Sequence, residues 1–190
     1  MNFIYNWLII IPWALFAGYW GFTALQTNRT KKAEAKFSRF IHLGIILLAV
    51  SLLAVKSLGI IFLAWNIFPQ SNLIKIAGLI LIFAGLLFSI WARAHLGRYW
   101  SGTVTIKVDH QLIRTGPYAW VRHPIYTGLL IGICGTVLFI NALGGLPAIV
   151  LFFIAYFRKI RIEENWLITQ FGEEYIRYQQ EVKALIPFLI

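Results

Sequence analysis

Five apolar runs separated by polar, mostly basic stretches make up most of the chain. They cover Ile4 to Leu25, Phe40 to Phe68, Leu73 to Ala94, Ile125 to Ile140 and Leu146 to Phe157. A helix of about 20 apolar residues crosses a bilayer, so the first three runs predict spans. The second is longer than a span needs and must tilt, bend or protrude before Pro69. The last two are short, and Asn141-Ala142-Leu143-Gly144-Gly145 between them is a turn signal. They predict a hairpin that either spans fully or dips into the membrane. The first run has no basic segment before it and no small-residue cleavage site, which predicts a retained span rather than a signal peptide.

Composition removes the soluble alternatives. Of 190 residues, 59% are hydrophobic and 13% charged, with a mean hydropathy of +0.74. A soluble domain is about half apolar and roughly a quarter charged, and disorder needs low hydrophobicity with high charge. Cys134 is the only cysteine, which excludes a disulfide scaffold. The expected fold is an all-α integral membrane protein of about five transmembrane helices. Residues 1–94 would form the N-terminal helices, and residues 95–190 a catalytic region of loop, hairpin and C-terminal helical segment.

Charge then orients the chain. Seventeen Lys and Arg against seven Asp and Glu give +10. Beside hydrophobic runs, a basic excess reads as the signal of cytoplasmic loops near an anionic leaflet, not as nucleic-acid binding. The basic segments Arg29–Arg39, Arg93–Arg122 and Arg158 onward all become cytoplasmic if the N-terminus is outside. Lys56 lies inside the second run, and an intramembrane ionisable residue is a functional candidate. A snorkelling side chain is the simpler reading.

Two polar segments share the predicted cytoplasmic face. In the first, Val104 to Val108 alternates like a short ribbon, but its length argues for a loop. Gly116-Pro117 breaks any helix, and Pro124 fits the first position of the fourth helix. Arg122, His123 and Tyr126 would then cluster at that helix's N-terminus, where free N–H groups and the helix dipole favour a carboxylate or phosphate. Headgroup anchoring accounts for the same residue types. In the second segment Glu163 and Glu164 stand at the membrane exit, suited to a cationic ligand, although surface ion pairing with Lys159 and Arg161 also explains them. Leu167, Phe171, Tyr175, Tyr178 and Val182 recur at helical spacing, with Gly172 as an interruption. His42, His95, His110 and His123 lack metal-ligand spacing, so no metal is expected.

One block of residues resembles a known family. It runs Leu96-Gly97, Trp100-Ser101, His110-Gln111-Leu112, Gly116-Pro117-Tyr118, Arg122-His123-Pro124, Tyr126 and Gly128. Glu163-Glu164, Leu167, Phe171-Gly172, Tyr175, Tyr178 and Pro187 extend it. The pattern resembles the isoprenylcysteine carboxyl methyltransferase family, over roughly Leu96 to Pro187. Related membrane methyltransferases acting on phospholipid amines share the Gly-Pro-Tyr and Arg-His-Pro block, and membrane sterol reductases share it more loosely.

The resemblance implies an S-adenosylmethionine site without a Rossmann fold, and a lipophilic methyl acceptor arriving from the bilayer. It implies a cofactor-binding set of Gly116, Pro117, Tyr118, Arg122, His123, Pro124, Tyr126, Glu163 and Glu164. His123 and Tyr126 should touch the methionine part, and Glu163 should lie near the reacting centre. The catalytic group would be Glu163 with Lys159, Arg158 and Arg161, and Trp100 and Trp166 would contact the acceptor. The sequence departs from the family at Lys159, where an Arg is usual. Lys lacks the planar two-point grip on a carboxylate, so either a neighbouring Arg substitutes or the acceptor differs. A carboxylate acceptor needs no base; a thiol or hydroxyl would, with Glu163 or His123 as candidates. The rivals are an NADPH-dependent membrane reductase, a haem carrier through His95 and His123, and a non-catalytic membrane adaptor.

Overall fold

A computed structural model describes residues 3–25, 30–33, 35–54, 62–100, 105–107 and 112–187. In chain order the elements are α1 (Phe3–Ala24), β1 (Thr30–Ala33), α2 (Lys36–Leu53), α3 (Asn72–Leu96), β2 (Thr105–Lys107), α4 (Pro124–Ile140), α5 (Gly145–Phe171) and α6 (Glu173–Glu181). Among the described residues, three helices are long and apolar enough to cross a membrane: Trp7–Ala24, Lys36–Leu53 and Asn72–Leu96. Pro124–Ile140 is a shorter apolar helix. Large apolar side chains on the outer faces of α1, α2 and α3 are exposed, as a lipid solvent allows.

Three expectations need correction. The second apolar run is not one helix: α2 ends at Leu53, and residues 62–68 form turns and bends. Asn141 holds the turn at residues 67–68. It adopts a left-handed conformation (φ 51°) at the end of α4. Its side-chain oxygen accepts the N–H groups of Ile67 and Phe68 at 3.0 and 2.9 Å, and its amide donates to the Phe68 carbonyl at 2.8 Å. Hydropathy conceals the break because the turn side chains are themselves apolar. Lys56 lies outside the described residues.

The second correction concerns α5, which continues unbroken from Gly145 to Phe171. At ~1.5 Å per residue this helix is about 40 Å long, so its polar half projects past its apolar half. The polar segment after Phe157 is therefore the end of a rigid rod. Gly172, at φ 54°, stops it and starts α6. Third, Thr105–Lys107 does pair as a ribbon, antiparallel to Thr30–Ala33. The ribbon ties the connection after α1 to the one after α3.

Backbones pack closely between α3 and α4. A Cβ on Gly135 would lie 2.5 Å from the Gly78 carbonyl oxygen and 2.7 Å from the Ile82 nitrogen. Gly85 and Gly128 face each other just as closely, and the Ser89 hydroxyl donates to the Ile125 carbonyl at 3.0 Å. Small residues at a membrane helix interface permit this approach. It fixes the start of α4 against the end of α3, where Arg93 is 3% exposed. Arg93 donates to the carbonyls of Gly97 (2.8 Å) and Thr23 (2.7 Å) and lies over the Trp100 ring at 4.3 Å. One side chain thus binds the ends of α1 and α3 to the start of the polar loop.

Candidate active site

The loop returns to the helices through Gly116-Pro117-Tyr118-Ala119, a single 3₁₀ turn. Gly116 has φ 59°, and a Cβ there would meet the His95 ring at 2.8 Å, so only glycine fits. His95 also shares a hydrogen bond of 2.8 Å with the Thr115 hydroxyl. Pro117 and Tyr118 are buried. The Tyr118 carbonyl accepts the Tyr178 hydroxyl at 2.5 Å. Burial, reinforced by the Glu163 charge, pushes the Tyr118 hydroxyl upward and keeps it neutral. These residues hold the loop in place.

Pro124 opens α4 at its first position, leaving Arg122 and His123 just before the helix. The N–H groups of these two residues are already used. Arg122 N donates to Lys183 O at 2.8 Å, and His123 N to Ala184 O at 2.9 Å. The Thr127 hydroxyl donates to Leu185 O at 2.7 Å. The C-terminal tail therefore runs alongside this segment. The carboxylate held at the start of α4 belongs to the chain itself. Arg122 Nε and Nη2 donate to Glu164 Oε1 at 2.9 and 2.7 Å. His123 Nε2 lies 3.1 Å from the same oxygen, and Gln179 Nε2 donates to Oε2 at 3.1 Å. Burial alone would push the Glu164 carboxyl up. The hydrogen bond and charge of His123, followed by those of Arg122, outweigh it and hold the group at about 2.

Glu163 faces a different set. The Tyr126 hydroxyl donates to its Oε1 at 2.7 Å, and its Oε2 lies 3.6 Å from His123 Nδ1. Its side chain is 22% exposed, against 10% for Glu164. His123 and Tyr126 stack with ring centres 5.8 Å apart, Tyr126 stacks on Tyr156 at 5.3 Å, and Lys159 Nζ lies 5.7 Å from the Tyr126 ring. The result is a part-exposed carboxylate beside an aromatic stack and an ammonium.

The structure thus brings together Arg122, His123, Tyr126, Lys159, Glu163 and Glu164. It sends the flanking arginines elsewhere. Arg158 hydrogen-bonds Ser38 at the start of α2, and the Arg161 guanidinium lies over Phe157 at 4.9 Å. Their described contacts are thus with α2 and with Phe157. Trp100 is buried beneath Arg93, edge-on to Trp20. Trp166 is half-buried on α5, three positions from Glu163 and so on a neighbouring part of the helix surface. Ser101, Asp109, His110 and Gln111 lie outside the described residues. Sequence reasoning missed Gln179, Tyr156 and the tail carbonyls. Backbone acceptors leave no side-chain signature, and Tyr156 reads as one more apolar-run aromatic.

This arrangement defines a helical membrane protein with a polar centre built at one end of the bundle. Its residues 77–169 match the isoprenylcysteine carboxyl methyltransferase (ICMT) family. A probable protein-S-isoprenylcysteine O-methyltransferase of Oryza sativa subsp. indica is 30% identical over 129 residues, 65% of this chain and 68% of that protein. The protein-S-isoprenylcysteine O-methyltransferase of Saccharomyces cerevisiae is 34% identical over 122 residues, 63% of this chain and 51% of its own. A solved structure of the eukaryotic intramembrane Ras methyltransferase superposes with a TM-score of 0.60 at 24% identity, over 82% of this chain and 54% of that one. The chain belongs to the isoprenylcysteine carboxyl methyltransferase family. It spans about half the length of the yeast relative. Nothing in these likenesses supports the reductase or adaptor readings.

Proposed function

We propose that the chain is an integral membrane methyltransferase. It moves a methyl group from S-adenosylmethionine to a lipophilic acceptor, the carboxylate of an isoprenylcysteine-like or other isoprenoid or lipid molecule. The observation that carries this reading is the separation of the two adjacent carboxylates. Glu164 is consumed by Arg122, His123 and Gln179, while Glu163 keeps a part-exposed face beside Tyr126.

The residues fit a cationic methyl donor. Glu163 offers negative charge to a sulfonium or ammonium group, and the His123–Tyr126 stack gives it a flat wall. Bound there, the donor would supply an electrophilic methyl carbon to the acceptor oxygen, its sulfur keeping the C–S electron pair as a neutral thioether. Lys159, 5.7 Å from the Tyr126 ring, suits the acceptor's carboxylate. Holding donor and acceptor in line is worth ~7–11 kcal/mol of barrier, and no enzyme nucleophile or base is required.

The ribbon supports an orientation. Pairing of β1 with β2 sets the basic stretches after α1 and α3 at one end of the bundle. Arg93, at the end of α3, joins the end of α1 there. By the positive-inside rule this end, with the site, faces the cytoplasm and the N-terminus lies outside.

The test is transfer of a tritiated methyl group from S-adenosylmethionine to N-acetyl-S-farnesylcysteine by the purified protein in lipid. Base-labile label, released as methanol from an ester, is expected. Glu163→Gln should reduce it strongly at unchanged folding. Base-stable label would move the acceptor to a thiol or amine, and no transfer to any of these would overturn the reading.

A further inference from the structure

Three aromatic side chains form one exposed patch beside the candidate active site. Phe88 and Trp91 come from the last turns of α3, and Trp120 ends the 3₁₀ turn just before Arg122 and His123. Trp120 stacks on Phe88 with ring centres 6.2 Å apart and meets Trp91 edge-on at 5.5 Å. Trp120 is 59% exposed and Trp91 42%. Rings already held against one another lose little freedom when something covers them.

Continuity with the rest of α3 says what covers them. Ile76, Ile80, Phe83, Leu87 and Trp91 are exposed at helical spacing along one side of this helix. The stripe belongs to a helix long and apolar enough to cross a membrane. Trp120 is laid on its end by the contacts with Phe88 and Trp91. A bilayer-facing surface is thus prolonged onto the loop that carries Arg122 and His123.

The chemistry of the patch differs from the middle of the stripe. Each indole sets an N–H on an apolar body. Among the described residues neither Trp91 nor Trp120 donates that N–H within the protein, whereas Trp13 donates to the Thr136 hydroxyl inside the bundle at 3.1 Å. An apolar body with an available donor suits the layer of glycerol esters and phosphates between hydrocarbon and water.

The heights agree with that layer. From Asn72 to Trp91, α3 rises about 28 Å, close to the ~30 Å of a hydrocarbon core. The far end of the bundle carries a second exposed aromatic pair, Phe62 and Trp65, with ring centres 5.4 Å apart. Hydrogen bonds from the Gly144 and Leu143 N–H groups to the Leu63 and Trp65 carbonyls fix this pair to the turn between α4 and α5. Aromatic side chains at both ends of a span mark its two interfaces.

We propose that Phe88, Trp91 and Trp120 form a docking site for the headgroup–glycerol layer of the bilayer, and that this layer steadies the segment carrying Arg122 and His123. The link is short, since buried Val121 alone separates Trp120 from Arg122. The proposal goes beyond the methyltransferase reading, and its tests involve no turnover, so the two fail separately.

The first measurement is of depth. The full chain, with fluorotryptophan in place of tryptophan, is placed in phosphatidylcholine nanodiscs, and Trp91→Phe and Trp120→Phe assign the two fluorine resonances. Three relaxation agents are added in turn: a lipid spin-labelled just below the glycerol, a lipid spin-labelled at the chain end, and a water-soluble gadolinium chelate. The shallow label should broaden both resonances more than either other agent does. Strongest broadening by the chelate puts the patch in water, and strongest broadening by the chain-end label puts it in the bilayer core; either result overturns the proposal. Resonances that no agent reaches show a patch covered by protein and overturn it too.

The second measurement is of coupling to the loop. Amide hydrogen exchange at Val121, Arg122 and His123 should be faster in Trp120→Ala than in wild type when both are in nanodiscs. In amphipol, which has no headgroup layer, the two should exchange alike. Trp91→Ala, which leaves the loop sequence intact, should behave in the same way and guards against misfolding of Trp120→Ala. A difference that persists in amphipol is loss of ring packing alone and overturns the steadying role, as does no difference in nanodiscs.

Discussion

Arg122 places both Nε and Nη2 on a single oxygen of Glu164, at 2.9 and 2.7 Å, with each side chain only 10% exposed. The remaining Arg122 nitrogen donates to the carbonyls of Gln179 and Val182. The pair thus joins the segment before α4, the polar half of α5, the end of α6 and the tail. On the proposed function Glu164 acts as a positioning residue that also contacts His123, and its neighbour Glu163 is the one left to meet a ligand.

Removing one partner should leave a buried charge unpaired. Arg122→Met or Glu164→Ala is expected to cost about 3–5 kcal/mol, read as a large drop in unfolding temperature in detergent. Glu163→Gln should leave that temperature near wild type. The reverse pattern, with Glu163→Gln unstable and Glu164→Ala stable, contradicts the division of roles.

Acid should weaken the same junction. The Glu164 carboxyl is held at about 2 against an ordinary 4.5. A depressed folded value means that its contribution is fully present above the unfolded value and fades as pH falls from about 4.5 toward 2. Unfolding temperature should decline across that window in wild type and less steeply in Glu164→Gln. Parallel curves for the two proteins count against the assignment.

The contact between α3 and α4 gives a contrast among glycines. Gly85→Ala or Gly135→Ala drives a Cβ into facing backbone, which cannot yield cheaply; overpacking of this kind costs about 1–3 kcal/mol. Gly44 has nothing within 4 Å of its would-be Cβ, so Gly44→Ala on α2 should be neutral or stabilise by about 0.5–1 kcal/mol. Thermal unfolding of the three variants checks both halves.

Gly116 should matter to the site without touching it. Alanine there meets His95 and must adopt φ 59°, which displaces the Thr115–Tyr118 turn. The expected result is weaker binding of S-adenosylhomocysteine, the methyl-transfer product, in a chain that still folds, with partial recovery when His95→Ala makes room. No change in binding would mean the turn does not shape the donor site.

Much of this centre could be read from sequence where chemistry and local conformation coincide. Pro124 announced the start of α4, Gly172 the end of α5, and the spacing from Arg122 to Tyr126 placed three side chains at one helix end. What the sequence concealed was long-range. The anion at the start of α4 comes from Glu164, 42 positions from Arg122, and the tail carbonyls cap Arg122 and His123 through backbone alone. Arg158 and Lys159 are adjacent, yet helical geometry turns one to Ser38 and the other to Tyr126. Asn141 holds a turn at Ile67 and Phe68 within an apolar run that hydropathy read as continuous. Gly128 and Gly132, four apart in an apolar helix, were a legible signal for close helix packing.

The central claim is that Glu163, with His123 and Tyr126, forms the donor site. Calorimetric titration of the purified protein with S-adenosylhomocysteine tests it most directly. The account predicts one saturable site, weakened about 10- to 100-fold by Tyr126→Phe or Glu163→Gln, as expected for loss of a hydrogen bond to a charged group worth ~1.5–3 kcal/mol. Wild-type affinity retained in both folded variants, or no binding by folded wild type, contradicts it.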